Sequence, residues 1–193
     1  IPNTIELINY PFKKRSQMEP RLLWVRSFAS IYNPCMAIEV YQNLKNEYPN
    51  AALCMVGPDK DGSFEKARKM AIKNNLDVTF TGSLPKKDWI EISKQYDIFI
   101  NTTHFDNTPV SVIEAMALGL PIVTTNVGGI SYLLENEKNA LLIPDRDVKA
   151  MVEAVKRIIL DSALQVYLVN NAHELVQDFD WNKVKNKWNT LLG

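Results

Sequence analysis

The sequence of 193 residues lacks several features that mark particular classes of protein. Lysine and arginine together number 22, as do aspartate and glutamate, so no positive excess favours binding to nucleic acid. No apolar run approaches the roughly 18 residues that a membrane-spanning helix requires. The two cysteines, Cys35 and Cys54, lack metal-ligand spacing, and Cys54 is expected to be a reduced core thiol. This cysteine usage favours a cytoplasmic location.

Common phosphate-binding motifs are missing as well. No G-x-G-x-x-G motif follows the first predicted strand, which argues against a dinucleotide enzyme, and the sequence has no Walker P-loop. It also has no recognisable signal peptide. Because the chain opens at Ile1 rather than at a methionine, we expect it to be part of a longer protein.

Short apolar runs alternate with helical patterns along most of the chain. The apolar runs predict buried strands, and they read LLWV, ALCMVG, VTFTG, DIFIN, PIVTT and ALLIP in chain order. Helical patterns separate them, for example over residues 34–48, 63–75 and 147–160. Strands that are apolar throughout and alternate with helices predict an α/β fold. We therefore expect a doubly wound, Rossmann-like parallel sheet with helices on both faces.

The chain is expected to have three parts. Residues 1–20 are interrupted by prolines and predict a linker or lead-in strand, whereas residues 21–178 form the predicted sheet domain. Residues 179–193 predict a final helix with an apolar stripe of Phe179, Trp181, Val184 and Trp188. The basic cluster of Lys13, Lys14 and Arg15 is expected to be solvated, and its alternative role is a peripheral contact with membrane lipid.

The stretch HFDNTPVSVIEAMALGLPIVTT, residues 104–125, predicts a loop, a helix and a buried strand. Thr108 is the predicted N-cap and Pro109 the first helical residue, because a missing N–H costs nothing there. Gly119 is expected to end the helix. Free N–H groups near residues 108–111 then form the positive end of the helix dipole, where a diphosphate would be well placed.

Three charged side chains are candidates for a site around that helix start. Glu114 leans back towards the helix N-terminus and can accept hydrogen bonds from the diol of a ribose. Asp106, in the preceding loop, can accept from hydroxyls of the group that the diphosphate carries. Arg26 ends the first strand, where its planar guanidinium can take a phosphate. Each has a simpler alternative. Glu114 would be a surface helix residue, Asp106 a turn residue, and Arg26 a member of a salt bridge.

This stretch resembles the donor-site signature of the retaining glycosyltransferases of family four, which have the GT-B fold. In that family two acidic residues stand eight positions apart before the sequence EAMA-GLP. Glu114 matches the second acid, and Asp106 stands where most members have glutamate. VGG at 127–129 and LLIP at 141–144 match the segments that follow, and the resemblance runs from about Leu22 to Ile159.

The resemblance implies the C-terminal, donor-binding domain of a retaining glycosyltransferase. Such an enzyme transfers a sugar from a nucleotide-diphosphate sugar, here a UDP- or GDP-sugar, to an acceptor glycan or lipid. Catalytic roles are implied for Arg26, Asp106 and Glu114, with no metal and no cofactor. Further contacts with the nucleotide-sugar are implied at Gly82, Leu84, Asn107, Thr108, Pro109, Val110, Gly128 and Gly129. The acceptor site would belong to an N-terminal domain to which the final helix crosses back, so this chain alone is expected to be inactive.

One departure from the family pattern leaves the function open. The family usually has a lysine five residues after the arginine, and this sequence has Ile31 there. Tyr32, Asn33 or a basic residue from elsewhere replaces it, or binding of the nucleotide-sugar is weaker. The alternative function is a non-catalytic nucleotide-binding or interaction module of the same ancestry. A GT-B sugar-nucleotide epimerase is a third possibility, although it would need different catalytic acids.

Overall fold

The computed structural model describes residues 3–185, which are organised around one parallel sheet. Its six strands lie in the order β3-β2-β1-β4-β5-β6, and every neighbouring pair is parallel. The strands are β1 (Arg21–Val25), β2 (Ala52–Val56), β3 (Val78–Gly82), β4 (Ile98–Asn101), β5 (Ile122–Thr125) and β6 (Leu141–Ile143). The chain moves outward from β1 to β3 and then returns to place β4 on the other side of β1. The order therefore reverses between β1 and β4.

Helices cover both faces of the sheet. They are α1 (Pro34–Glu47), α2 (Ser63–Lys73), α3 (Lys86–Ser93), α4 (Val110–Ala117), α5 (Ile130–Leu133), α6 (Val148–Leu160) and α7 (Ser162–Val176). Side chains alternate along β1, so that Leu22 and Trp24 join one buried cluster and Leu23 the other. The first cluster packs under α1, α2 and α6, and the second under α3, α4 and the end of α7. The predicted α/β fold class is confirmed.

The helix after β4 begins one residue later than predicted. Pro109 is the N-cap of α4 rather than its first residue, and its carbonyl accepts hydrogen bonds from the N–H groups of Val112 and Ile113. No side chain among residues 3–185 caps this helix, so Thr108 is not the N-cap. The predicted end is confirmed, because Gly119 follows the C-cap residue with a φ of +71°.

The lead-in segment, residues 3–20, packs along α4. Arg15 in this segment is only 5% exposed, which makes the prediction of a solvated cluster wrong for Arg15, although Lys13 and Lys14 are exposed. Burial lowers the pKa of the Arg15 guanidinium to about 10, so it remains charged at neutral pH. Its donors reach the carbonyls of Lys13, Ser93, Tyr96, Leu118 and Gly119. Most of these carbonyls belong to the C-terminal ends of α3 and α4, where a cation is favoured.

The C-terminal part continues beyond α7 as a short 3-10 turn and a helical stretch over residues 181–185. Val184 is buried there, whereas Trp181 is 40% exposed. Trp188 and the rest of the predicted final helix lie outside the described residues, so the crossing to another domain stays a prediction. No helix within residues 3–185 is both long and apolar enough to cross a membrane.

Candidate functional site

The candidate site lies at the point where the strand order reverses. In open parallel sheets, ligands bind beyond the carboxyl ends of the strands at such a point. Here the neighbouring strands β1 and β4 are followed by Arg26 and by the loop of residues 102–109. The fold thus brings two predicted site residues, Arg26 and Asp106, to one edge although 80 positions separate them in the sequence.

Arg26 and Asp106 form an ion pair at this edge. The guanidinium of Arg26 donates to the carboxylate of Asp106, and the two side chains are 13% and 12% exposed. The guanidinium carbon also lies 3.9 Å from the centre of the Tyr32 ring, a cation–π contact that holds it in place. The Nε–H group of Arg26 is buried and has no acceptor among residues 3–185. The pair is therefore fixed in position, and Arg26 keeps unused hydrogen-bond donors.

An open cavity of about 480 Å³ adjoins this ion pair. Asn107 and Thr108, both predicted to contact the nucleotide-sugar, contribute to its wall. Its full lining is Asn3, Ile31, Tyr32, Phe105, Asp106, Asn107 and Thr108. Ile31, which stands at the position of the expected lysine, is 44% exposed on this wall. A second cavity of about 280 Å³ shares Asn107 and Thr108 and is also lined by Gly129.

The start of α4 has unused hydrogen-bonding groups. The N–H groups of Val110 and Ser111 have no acceptor among the described residues, as expected for the first turn of a helix without a side-chain cap. The hydroxyl of Ser111 is buried, and it likewise has no partner within residues 3–185. These groups form the positive end of a helix of eight residues. Pro109 is buried beside them and contributes no N–H.

Glu114 lies further along α4 and is enclosed by two residues that were not among the predicted site residues. It is 3% exposed, and its Oε1 accepts a hydrogen bond of 2.7 Å from the hydroxyl of Tyr10. The same oxygen is paired with the ammonium group of Lys86, the first residue of α3. Burial, followed by the interaction with Glu114, raises the pKa of Tyr10 well above its usual value. Glu114 lines neither of the two cavities, and the Lys86 side chain with which it is paired is 57% exposed.

The glycines after β5 serve the packing of the site loop. A Cβ atom on Gly128 would lie 2.3 Å from the carbonyl oxygen of Asp106, and one on Gly129 would lie 1.9 Å from that of Asn107. The N–H group of Gly129 donates to the Asp106 carbonyl at 2.7 Å. The two glycines thus let the loop after β5 support the loop after β4. A direct contact of either with a nucleotide-sugar stays a prediction.

The remaining predicted contacts lie at the end of β3. Gly82 has a φ of +70° and faces open space, whereas Leu84 is half-buried and packs against the second cluster. Lys86 follows in the same GSLPKK stretch, so its place at this edge was available from the sequence. Tyr10 gave no such signal, because 104 positions separate it from Glu114. No group of three or more metal-ligating side chains occurs within the described part of the chain.

Comparison with known proteins places this fold among the glycosyltransferases. The chain is 26% identical to the glycogen synthase of Mycobacterium tuberculosis over 189 residues, covering 95% of this chain and 45% of that protein. The sucrose-phosphate synthase of Thermosynechococcus elongatus has the same fold, with a TM-score of 0.87 at 24% identity over 100% of this chain and 51% of that one. HepE of Anabaena, in complex with UDP and glucose, gives a TM-score of 0.84 at 17% identity over 98% of this chain and 55% of that one.

The chain spans about half the length of the curated relatives that it matches. The family model described as glycosyl transferases group 1 matches residues 8–175, which is most of the chain. The match includes β1, the loop after β4 and the whole of α4. This protein therefore belongs to the glycosyl transferases group 1 family.

Proposed function

We propose that this chain is the donor-binding part of a retaining glycosyltransferase that takes its sugar from a nucleotide-diphosphate sugar. The observation that carries the proposal is the meeting of Arg26, Asp106 and the uncapped start of α4 at the point where the strand order reverses. UDP is bound by HepE, a protein with the same fold, which supports a nucleotide as the ligand class. The acceptor glycan or lipid would bind mainly to another part of the enzyme.

The diphosphate would bind between Arg26 and the start of α4. Two free backbone N–H groups and a helix dipole favour a negative group there. Arg26 has hydrogen-bond donors that its ion pair with Asp106 does not use. Its unpaired Nε–H group would find a hydrogen-bond acceptor in a nearby anion. As the sugar leaves the nucleotide, these groups would stabilise the charge that develops on the diphosphate.

The ribose and the sugar would be held by the two carboxylates. Glu114 lies about a turn along α4 from the free N–H groups, within reach of the pentose of a nucleotide whose diphosphate they bind. Lys86 covers Glu114, but its side chain is 57% exposed and can rotate away at small cost. Asp106 borders the cavity of about 480 Å³, where it would orient the hydroxyls of the transferred sugar.

Lys86 also bears on the charge of the site. Arg26 is paired with Asp106, so without a second cation the site would carry the uncompensated charge of Glu114 when the diphosphate arrives. Lys86 supplies that cation from α3. We infer that Lys86 takes over the charge of the lysine that Ile31 replaces.

A second candidate function is a nucleotide-binding or interaction module that does not catalyse. The observation in its favour is Ile31, which presents an apolar side chain to the cavity at the place where the family has a cation. In that case the pairing of Arg26 with Asp106 would be a structural ion pair.

Calorimetric titration tests the proposal. We expect one of UDP-glucose, GDP-mannose and ADP-glucose to bind the chain with a submillimolar Kd, and the binding to be lost in Glu114→Ala. Glu39→Ala is the control, because Glu39 lies on α1 at the opposite face of the sheet. Absence of binding to all three nucleotide-sugars would contradict the proposal and favour the interaction module. We also expect no sugar transfer by this chain alone, and measurable transfer would refute the assignment of the acceptor site to another domain.

A further inference from the structure

Tyr10 belongs to a segment that follows α4 over its whole length. At the start of the helix, the side-chain amide of Asn3 donates to the Thr108 carbonyl at 2.9 Å. At the other end, Arg15 donates to the Gly119 carbonyl, also at 2.9 Å. The Tyr10 hydroxyl meets Glu114 between these two contacts. The position of the Tyr10 hydroxyl is therefore fixed by contacts of the segment on either side of it.

The Tyr10 hydroxyl occupies one oxygen of the Glu114 carboxylate and leaves the other. Oε1 accepts from both Tyr10 and Lys86, whereas Oε2 has no hydrogen-bond partner among residues 3–185. A carboxylate held through one oxygen has a fixed plane, and its second oxygen keeps its full capacity to accept hydrogen bonds. The raised pKa of Tyr10 keeps its phenol protonated, so it remains a donor at every physiological pH.

Tyr10 and Lys86 differ in how firmly they hold this carboxylate. The tyrosine is 6% exposed and packs in the second cluster, so its hydroxyl cannot leave without moving the lead-in segment. The lysine side chain is 57% exposed and contributes a pair that solvent screens. Tyr10 is thus the permanent partner of Glu114, and Lys86 is the exchangeable one.

We propose that Tyr10 is a positioning residue for nucleotide recognition, because its hydroxyl fixes Oε1 of Glu114 and so directs Oε2 towards the two ribose hydroxyls. This inference rests on the proposed function, in which Glu114 binds the ribose. The ligand chemistry is the vicinal diol of a nucleoside diphosphate.

The test compares Tyr10→Phe with the wild type by calorimetry, using whichever of UDP, GDP and ADP the wild type binds most tightly. The variant removes the hydroxyl and keeps the ring, and we expect its affinity to fall about tenfold. The 2′,3′-dideoxy form of the same nucleotide lacks the diol, so the variant and the wild type should bind it equally. Tyr41→Phe is the matched control, because Tyr41 is equally buried and its hydroxyl bonds to the Ala51 and Asp77 carbonyls on the other face.

The outcomes distinguish failure of the proposed function from failure of the inference about Tyr10. If the wild type binds none of the three nucleotides, the proposed function fails and this inference with it. If the wild type binds and Tyr10→Phe binds equally well, only the inference is overturned. Equal losses for the normal and dideoxy nucleotides would also overturn it, because they would show a general structural effect rather than orientation of Glu114 towards the diol.

Discussion

Two ion pairs at the same sheet edge differ in what surrounds them. Arg26 and Asp106 follow neighbouring strands and are similarly buried, and Asp106 lines an open cavity. Lys86 and Glu114 join two helices, with the lysine exposed and the glutamate buried against Tyr10. The first pair offers a fixed cation to a ligand, while the second offers a fixed anion behind a movable cation. We call these two pairs the Arg26 side and the Glu114 side of the site. The position of the Arg26 side is set by the strand order, whereas that of the Glu114 side is set by contacts with the lead-in segment.

The largest expected effect is a loss of stability when Arg15, which anchors the lead-in segment on the Glu114 side, is replaced. Arg15→Met leaves several carbonyls at the ends of α3 and α4 without their donor, so we expect the free energy of unfolding to fall by about 3 kcal/mol. Urea denaturation measures the change. Lys14→Met is the control, because its exposed side chain should alter stability by less than about 0.5 kcal/mol. Equal stability of the two variants would show that Arg15 does not hold the segment.

The next effect concerns the Arg26 side. Arg26→Ala removes the fixed cation and leaves the Asp106 carboxylate half-buried and unpaired beside the proposed diphosphate position. We expect affinity for the nucleotide-sugar to fall about 100-fold, measured by calorimetry. Arg68→Ala provides the comparison, since Arg68 forms only an exposed pair with Glu65 on α2. An unchanged Kd in Arg26→Ala would mean that the diphosphate does not bind there.

A gain of affinity should follow from restoring a cation to the cavity wall. Ile31→Lys places an ammonium group beside Asp106 and the loop of residues 105–108, and Ile31 is exposed enough to accept the change. We expect the nucleotide-sugar to bind about tenfold more tightly. The control is Ile72→Lys, at a more exposed isoleucine on α2, which should leave the Kd unchanged. A similar gain in both variants would point to general attraction rather than to a local contact.

The smallest expected effect is a pH dependence on the Glu114 side. His173 on α7 packs against Phe12 of the lead-in segment, with ring centres 4.3 Å apart, and its Nδ1 is buried without a partner among the described residues. Burial lowers the pKa of His173 from its usual 6.5. The unfolded chain therefore takes up this proton at a higher pH than the folded chain, so stability should fall as pH drops below about 6.5.

Urea denaturation at several pH values tests this dependence. His173→Gln should reduce the loss of stability between neutral and mildly acidic pH. His104→Gln is the comparison, because His104, the other histidine of the chain, lies in the loop after β4 and pairs with Asp145. An identical pH profile for the wild type and His173→Gln would contradict the prediction.

Much of the fold and part of the site could be predicted from local patterns. Each strand is a short apolar run and each long helix has its own periodicity, and strand order then brings Arg26 and Asp106 together. The start of α4 was misplaced by one residue, because Pro109 fits both the N-cap and the first helical position. Tyr10 and Arg15 were missed for a different reason. Their contacts bridge 78 to 104 positions and depend on a segment with no periodicity of its own.

The course of the lead-in segment has a consequence for how the protein is made. Its partners at Thr108, Glu114 and Gly119 leave the ribosome about a hundred residues after it does. Until then Tyr10 and Arg15 have nothing to dock on, and the contacts of long sequence separation close late. The Glu114 carboxylate consequently cannot reach its final orientation until β1 to β4 and the whole of α4 have been synthesised.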